Sequence, residues 1–298
     1  MNLTNTSTFQ LLQSGCSNLT SLEAYWMSIT ADMTPFELAF QGTGNLLSAI
    51  FVVLSLACVL MDITPSLRKY KMQPSRPPTQ GFYWQCLKQV LFNRMVVHVP
   101  ASLVTIYMWG DRPTFSGSLP LPRPSTVAWD FIRFMLLEDF LFYWIHRFLH
   151  WKKIYKYVHK VHHEFSAPFG LASQYTHPVE DILMIMSSMT GPLLFGSHIL
   201  CLWIWLVFQL CKAMEEHAGY DFPITMSMFL PFKGSPARHD YHHEKFDSNF
   251  GSTMAFWDWL CGTDAQFRAL QHEKAARGQH GWFDLFDYLS YTPKVKTL

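Results

Sequence analysis

No lysine or arginine occurs before Arg68, so the amino-terminal stretch lacks the positively charged region that opens a cleavable signal peptide. The first apolar segment is therefore expected to stay in the protein. Charge is scarce throughout. Asp, Glu, Lys and Arg make up 15% of residues, against about 25% in soluble domains, while 16% are aromatic, and this balance leans toward a membrane protein. The formal net charge is +1 and no basic stripe interleaved with aromatics occurs, which sets nucleic acid aside as a partner. The six cysteines (Cys16, Cys58, Cys86, Cys201, Cys211 and Cys261) form no CxxC pair, and several stand inside apolar runs, so no disulfide framework is expected. No internal repeat is evident.

Apolar sequence is plentiful. One segment runs from about Phe36 to Leu60, long enough to cross a hydrocarbon core of about 30 Å at about 1.5 Å per residue. A second, about Val90 to Trp109, contains Asn93, Arg94, His98 and Pro100, which favours packing against other helices. Gly110 to Pro124 reads as a connecting loop. A third segment, Val127 to Ile145, carries Glu138 and Asp139 near its end. Ile182 to Phe195 and His198 to Leu210 are each short for a span and predict a hairpin that dips into the membrane and returns. The expected organisation is a tail over 1–35, a two-span region over 36–125, a catalytic domain over 126–266 and a second tail over 267–298.

The loop between the first two spans holds Arg68, Lys69, Lys71, Arg76 and Lys88, whereas that between the second and third holds only Arg112 and Arg123. The former is predicted to be cytosolic, which makes the N-terminus lumenal and the C-terminus cytosolic. Asn2, Asn5 and Asn18 each open an N-x-S/T acceptor triplet, as suits a lumenal tail. Lys294-Val295-Lys296-Thr297-Leu298 matches the K-x-K-x-x pattern read as an address for retrieval to the endoplasmic reticulum.

Histidine is the main chemical feature. Eight of fourteen stand in three clusters: His146 and His150; His159, His162 and His163; His239, His242 and His243. On helices, residues three and four apart share a face, so rigid backbone can aim several imidazoles at one point. Eight exceed what one tetrahedral zinc uses, which makes a binuclear centre the economical reading, although imidazole suits Zn, Cu, Fe and Ni alike. The isolated His98, His198, His272 and His280 read as hydrogen-bonded residues. Glu138, Asp139, Glu164, Glu180 and Asp240 are candidates to hold imidazole N–H groups, with Arg133 as a partner for Glu138 and Asp139. Trp144, Trp203, Trp205, Trp257 and Trp259 could line a lipid slot, though interfacial anchoring is their default.

The pattern HxxxH, HxxHH and HxxHH resembles the fatty-acid-hydroxylase superfamily of integral membrane di-iron enzymes, and within it the C4-methylsterol oxidases. The resemblance is carried by Glu138-Asp139, Ile154 to Phe165, Ala167 to Gly170, Gln174 to Pro178, His217 to Pro223, and Gly262-Thr263-Asp264. It implies an all-α, multi-span membrane bundle with a cytosol-facing di-metal site. It also implies two non-haem irons, O2, and electrons from NAD(P)H through cytochrome b5 and its reductase, with a sterol substrate and other sterol-biosynthesis enzymes as neighbours. His177 and His217 join the candidate ligands by the same resemblance, His177 alternatively as a residue that orients a ligand. Gly219 after His217 allows a tight turn. Two positions depart from the pattern: those oxidases usually carry alanine where Thr176 stands and serine where Ala218 stands. Sterol 25-hydroxylases share the HxGYxFP stretch, so a single-step hydroxylase stays open as a second reading. A non-catalytic, metal-loaded membrane scaffold is the third.

Overall fold

The computed structural model describes residues 20–277, in which helix predominates and the only β-pairing is two isolated bridges, Lys71 with Tyr220 and Lys233 with Met254. The acceptor asparagines Asn2, Asn5 and Asn18 and the terminal Lys294 and Lys296 lie outside the described residues.

Helix α1 (Ser21–Thr30) occupies sequence expected as a tail. Thr20 and Glu23 form a capping box at its start, and the buried Trp26 donates its indole N–H to the Gly117 carbonyl at 2.8 Å, which ties the segment down. Helices α2 (Pro35–Ile63) and α3 (Gln80–Trp109) are each long and apolar enough to cross a membrane by length and composition. The α3 helix begins well before the expected segment, where Thr79 caps its first turn. Its polar residues are spent on neighbours: Asn93 Nδ2 donates to the Thr176 carbonyl at 3.0 Å, and Arg94 Nη2 to the Gly44 carbonyl at 3.2 Å. Pro100 brings no N–H to the ladder, and the chain widens into a π-turn over Arg94–His98 just before it.

Helix α4 (Pro124–Leu149) opens on proline at its first position and runs about 39 Å at about 1.5 Å per residue. The short α5 (Lys152–Tyr155) follows. Helices α6 (Pro178–Phe195) and α7 (Ile199–His217) form the hairpin, joined at Gly196 with φ +66°. Both are longer than the apolar runs because their polar outer turns are helical as well. α6 lies so close to α4 that a Cβ on Gly191 would stand 3.0 Å from the Phe134 Cα. Helices α8 (Pro236–Lys245), α9 (Phe256–Cys261) and α10 (Ala265–Ala276) complete the described chain. The α10 helix takes up the start of the expected second tail, anchored by the buried Phe267 and by Arg268 Nε donating to Asp264 at 2.9 Å.

Two expectations are corrected here. Residues 156–164 form successive turns and a 3₁₀ turn at His162–Glu164, not an α-helix carrying the second cluster. Arg133 pairs with Asp130 three residues earlier instead of Glu138 or Asp139, because an i, i+3 neighbour is within its reach.

Candidate metal centre

Four elements converge beneath the bundle. The last turn of α4 carries His146 and His150, the turns of 156–164 carry His159, His162 and His163, the end of α7 carries His217, and α8 carries His239, His242 and His243. These nine histidines fall into two groups. His146, His150, His159, His163 and His242 form the first; His162, His217, His239 and His243 form the second. Within the first, the Nε2 atoms of His146 and His159 are 3.0 Å apart, and those of His163 lie 3.1 Å from His159 and from His242. Within the second, His217 Nε2 stands 3.1 Å from His162 and 2.9 Å from His239, with His243 3.2 Å from His239.

On five of the rings the opposite nitrogen fixes what Nε2 is. Nδ1 of His146 donates to the Phe250 carbonyl at 2.7 Å, and Nδ1 of His242 donates to that of Ser248 at 2.7 Å. His217 Nδ1 donates to Ala213 at 2.7 Å, His162 Nδ1 to Tyr175 and His243 Nδ1 to Phe165, both at 3.2 Å. A carbonyl oxygen only accepts, so in a neutral ring the proton sits on Nδ1 and the lone pair on Nε2. Burial keeps the rings neutral. It pushes His162 down to about 4 and His242 to about 3, and with help from neighbouring imidazoles it holds His159, His163, His239 and His243 well below the usual range.

Lone pairs facing one another at 3 Å repel unless a cation lies among them. Two ring nitrogens each about 2.1 Å from a common ion stand about 3 Å apart across a right angle, so the spacing and the tautomers both fit a pair of metal ions.

His159 is oriented differently. Its Nδ1 meets Glu180 Oε1 at 2.9 Å, with both side chains buried. Glu180 stands in the first turn of α6, where the N-terminal end of the helix favours a carboxylate. Glu180 is among the acids expected from sequence to face an imidazole; the others have other partners. Glu138 bonds Gln209, Asp139 accepts from the Met254 N–H at 2.8 Å, and Asp240 accepts from Gln73 at 3.1 Å. Glu138 and Asp139 sit about two turns before His146, roughly 10–12 Å along the axis, and Asp240 is turned about 100° from His239 on α8. His177 belongs to neither group; its Nδ1 accepts from the Val179 N–H at 3.1 Å and caps α6.

The main-chain acceptors have their own supports. Phe246 and Asn249 adopt left-handed backbone, φ +67° and +55°, which turns the chain so that Ser248 and Phe250 face back toward the rings. Asp258, 1% exposed, accepts from the Phe250 and Gly251 N–H groups at 2.8 and 2.7 Å and so holds that loop. At the end of α7, Gly219 has φ +74°, the tight turn expected after His217.

A cavity of about 530 Å³ leads to the centre. It is lined by Leu47, Phe51, Leu87 and Val90 of α2 and α3 and also by His146, His159, His162, His217 and His239. Its size suits one lipid molecule. The tryptophans considered from sequence do not line it: Trp203 donates to Thr43 Oγ1 and the fully buried Trp205 to the Ser188 carbonyl.

A family model described as fatty acid hydroxylase matches residues 131–263, a range that includes all nine clustered histidines. A very-long-chain aldehyde decarbonylase, GL1-11 of Oryza sativa subsp. indica, is 35% identical over 263 residues, covering 87% of this chain and 98% of the relative. Methylsterol monooxygenase 1 of Danio rerio is 34% identical, covering 85% of this chain and 87% of the relative. Methylsterol monooxygenase 2-2 of Arabidopsis thaliana is 36% identical, covering 84% of this chain and 94% of the relative. No solved structure matches the chain.

Proposed function

Because this chain belongs to the fatty acid hydroxylase family and is on that ground an oxidoreductase, we propose that it is a membrane di-iron monooxygenase that oxidises the C4-methyl group of a sterol. The cavity carries this reading: it joins the apolar helices α2 and α3 to the histidine rings, so a lipid reaches the centre without passing through water. Bound iron would supply the redox chemistry with O2, using electrons from NAD(P)H through cytochrome b5.

The chain's own part is geometric. Nine histidines would hold two ions, while five carbonyls and Glu180 face Nδ1 of six of the rings and keep those rings in place. The buried walls exclude water from the reacting carbon. The methyl is taken to hydroxymethyl, aldehyde and carboxylate in three O2-dependent rounds.

The protein sits in the endoplasmic reticulum membrane with α2, α3 and α4 as spans and α6 and α7 as a hairpin, its N-terminus lumenal and its C-terminus cytosolic. The outer side of α4 supports a third span, since Trp129, Leu136, Phe140, Trp144 and Phe148 are all exposed there.

The aldehyde decarbonylase relatives favour a second reading, a long-chain aldehyde in the same cavity, because they match over 98% of their length at the same identity. Product analysis decides. Purified protein given NAD(P)H, cytochrome b5, its reductase and a 4-methylsterol is expected to yield a 4-carboxysterol. Given a long-chain aldehyde in place of the sterol, formation of a hydrocarbon one carbon shorter, with the carbonyl carbon released as a one-carbon product, supports the second reading. Arrest of the sterol at an alcohol supports a single-step hydroxylase, and no NAD(P)H consumption with any lipid a scaffold.

A further inference from the structure

Between the first and second histidine clusters lies a stretch of one charge. Phe140 to His163 contains no Asp or Glu, yet Arg147, Lys152, Lys153, Lys156 and Lys160 stand within it, all five exposed. Each carboxylate that forms a described ion pair serves another cation: Asp62 binds Lys71, Asp130 binds Arg133, Glu216 binds Lys212, and Glu244 binds Lys245. Five outward cations with no counter-ion among the described residues form a strong local positive field.

The position of the patch narrows its occupant. It begins where the exposed aromatic side of α4 ends, at Trp144, Phe148 and Trp151. The Lys153 ammonium stands 5.3 Å from the Trp151 ring centroid, Lys156 lies 4.5 Å from that of Tyr157, and the Arg147 guanidinium lies 5.6 Å from that of Trp144. Aromatic rings at the end of an apolar helix, with cations beside and just beyond them, match the layer where acyl chains meet head groups.

Resting on the reading of α4 as a span, we propose that Arg147, Lys152, Lys153, Lys156 and Lys160 form a binding surface for the anionic head groups of the cytosolic leaflet. Each cation near such a surface strengthens binding about fivefold, so removing three lowers the preference for anionic lipid by at least tenfold.

The test uses the full chain, wild type and Lys152→Gln/Lys153→Gln/Lys156→Gln, reconstituted in nanodiscs of phosphatidylcholine with one-fifth phosphatidylserine. Each protein is then extracted in mild detergent, and its retained lipid is quantified by mass spectrometry at low and high salt. Wild type is expected to retain phosphatidylserine well above its share at low salt, and the triple variant to retain it in proportion. Equal retention by both proteins overturns the proposal. So does a variant that keeps phosphatidylserine enrichment but loses turnover only with its electron-donor protein, which would make the patch a protein docking surface. The substituted side chains are exposed, and unchanged circular dichroism and melting temperature verify the fold. Release of wild type by alkaline carbonate without detergent would instead sink the underlying reading of α4 as a span.

Discussion

Glu180 is the side chain whose replacement most sharply tests how the centre is built. Its carboxylate oxygen Oε1 stands 2.9 Å from His159 Nδ1 with both groups buried, so Glu180→Ala leaves that imidazole N–H with no acceptor within reach. Leaving such a donor buried costs about 1–3 kcal/mol, and loss of a carboxylate behind a metal-binding histidine costs about 10–100-fold in affinity, or about 1.4–2.7 kcal/mol. The two routes agree. Glu180→Gln keeps an oxygen that can accept the same proton but loses the charge, so it should fall well short of that loss. The charge also favours the first turn of α6, yet both variants lose it equally, so their difference isolates the hydrogen bond. Metal analysis after graded chelator competition is the assay, with circular dichroism as the fold control. Glu180→Ala should give up one ion, that of the five-histidine group, at a chelator concentration about 10–100-fold lower than wild type. A well-folded Glu180→Ala that holds both ions as tightly as wild type would refute this account of His159.

His217→Gln should lose about one metal and all turnover with its helices intact, because His217 Nε2 faces His162 and His239 in the four-histidine group. Two retained metals with normal turnover would remove His217 from that group. Gly219→Ala should destabilise the fold by at least about 1 kcal/mol and lower activity, since φ is +74° and the new Cβ would stand 2.8 Å from the Pro168 carbonyl oxygen; an unchanged melting temperature would contradict it. Glycosidase should shift the wild-type band but not that of a variant lacking Asn2, Asn5 and Asn18, while protease protection of a C-terminal tag in sealed microsomes would reverse the proposed topology.

Eight of the nine histidines brought together in space stand in clusters legible from sequence, because spacing of three and four residues is a direct statement of helical geometry, and α4 and α8 obey it; the ninth, His217, stands alone and is marked only by the family resemblance. The second cluster reached its place by another route, through turns whose order comes from burial instead of periodicity. What holds the rings was less legible. Five acceptors are main-chain carbonyls, a group every residue carries, so no residue type marks them. Asp258 acts through the loop it anchors, and only packing reveals that. Glu138 and Asp139 drew attention as carboxylates in an apolar run, but a helix that rises about 1.5 Å per residue carries them past the rings, toward Gln209 and Met254. The helices α3, α6 and α7 extend beyond their apolar segments because polar outer turns continue them.

The two HxxHH motifs are used reciprocally. His159 and His163 enter the five-histidine group while His162 enters the other; His239 and His243 enter the four-histidine group while His242 crosses back. Each peptide segment is thus laced to both sites, and neither site can organise its ligands without fixing backbone that the other needs. Loading should therefore be cooperative, the first ion lowering the ordering cost for the second, with coupling of about 1–3 kcal/mol or about 5–150-fold. Titration of the apoprotein should rise more steeply than two independent sites allow, and half-filled protein should be scarce at every stage.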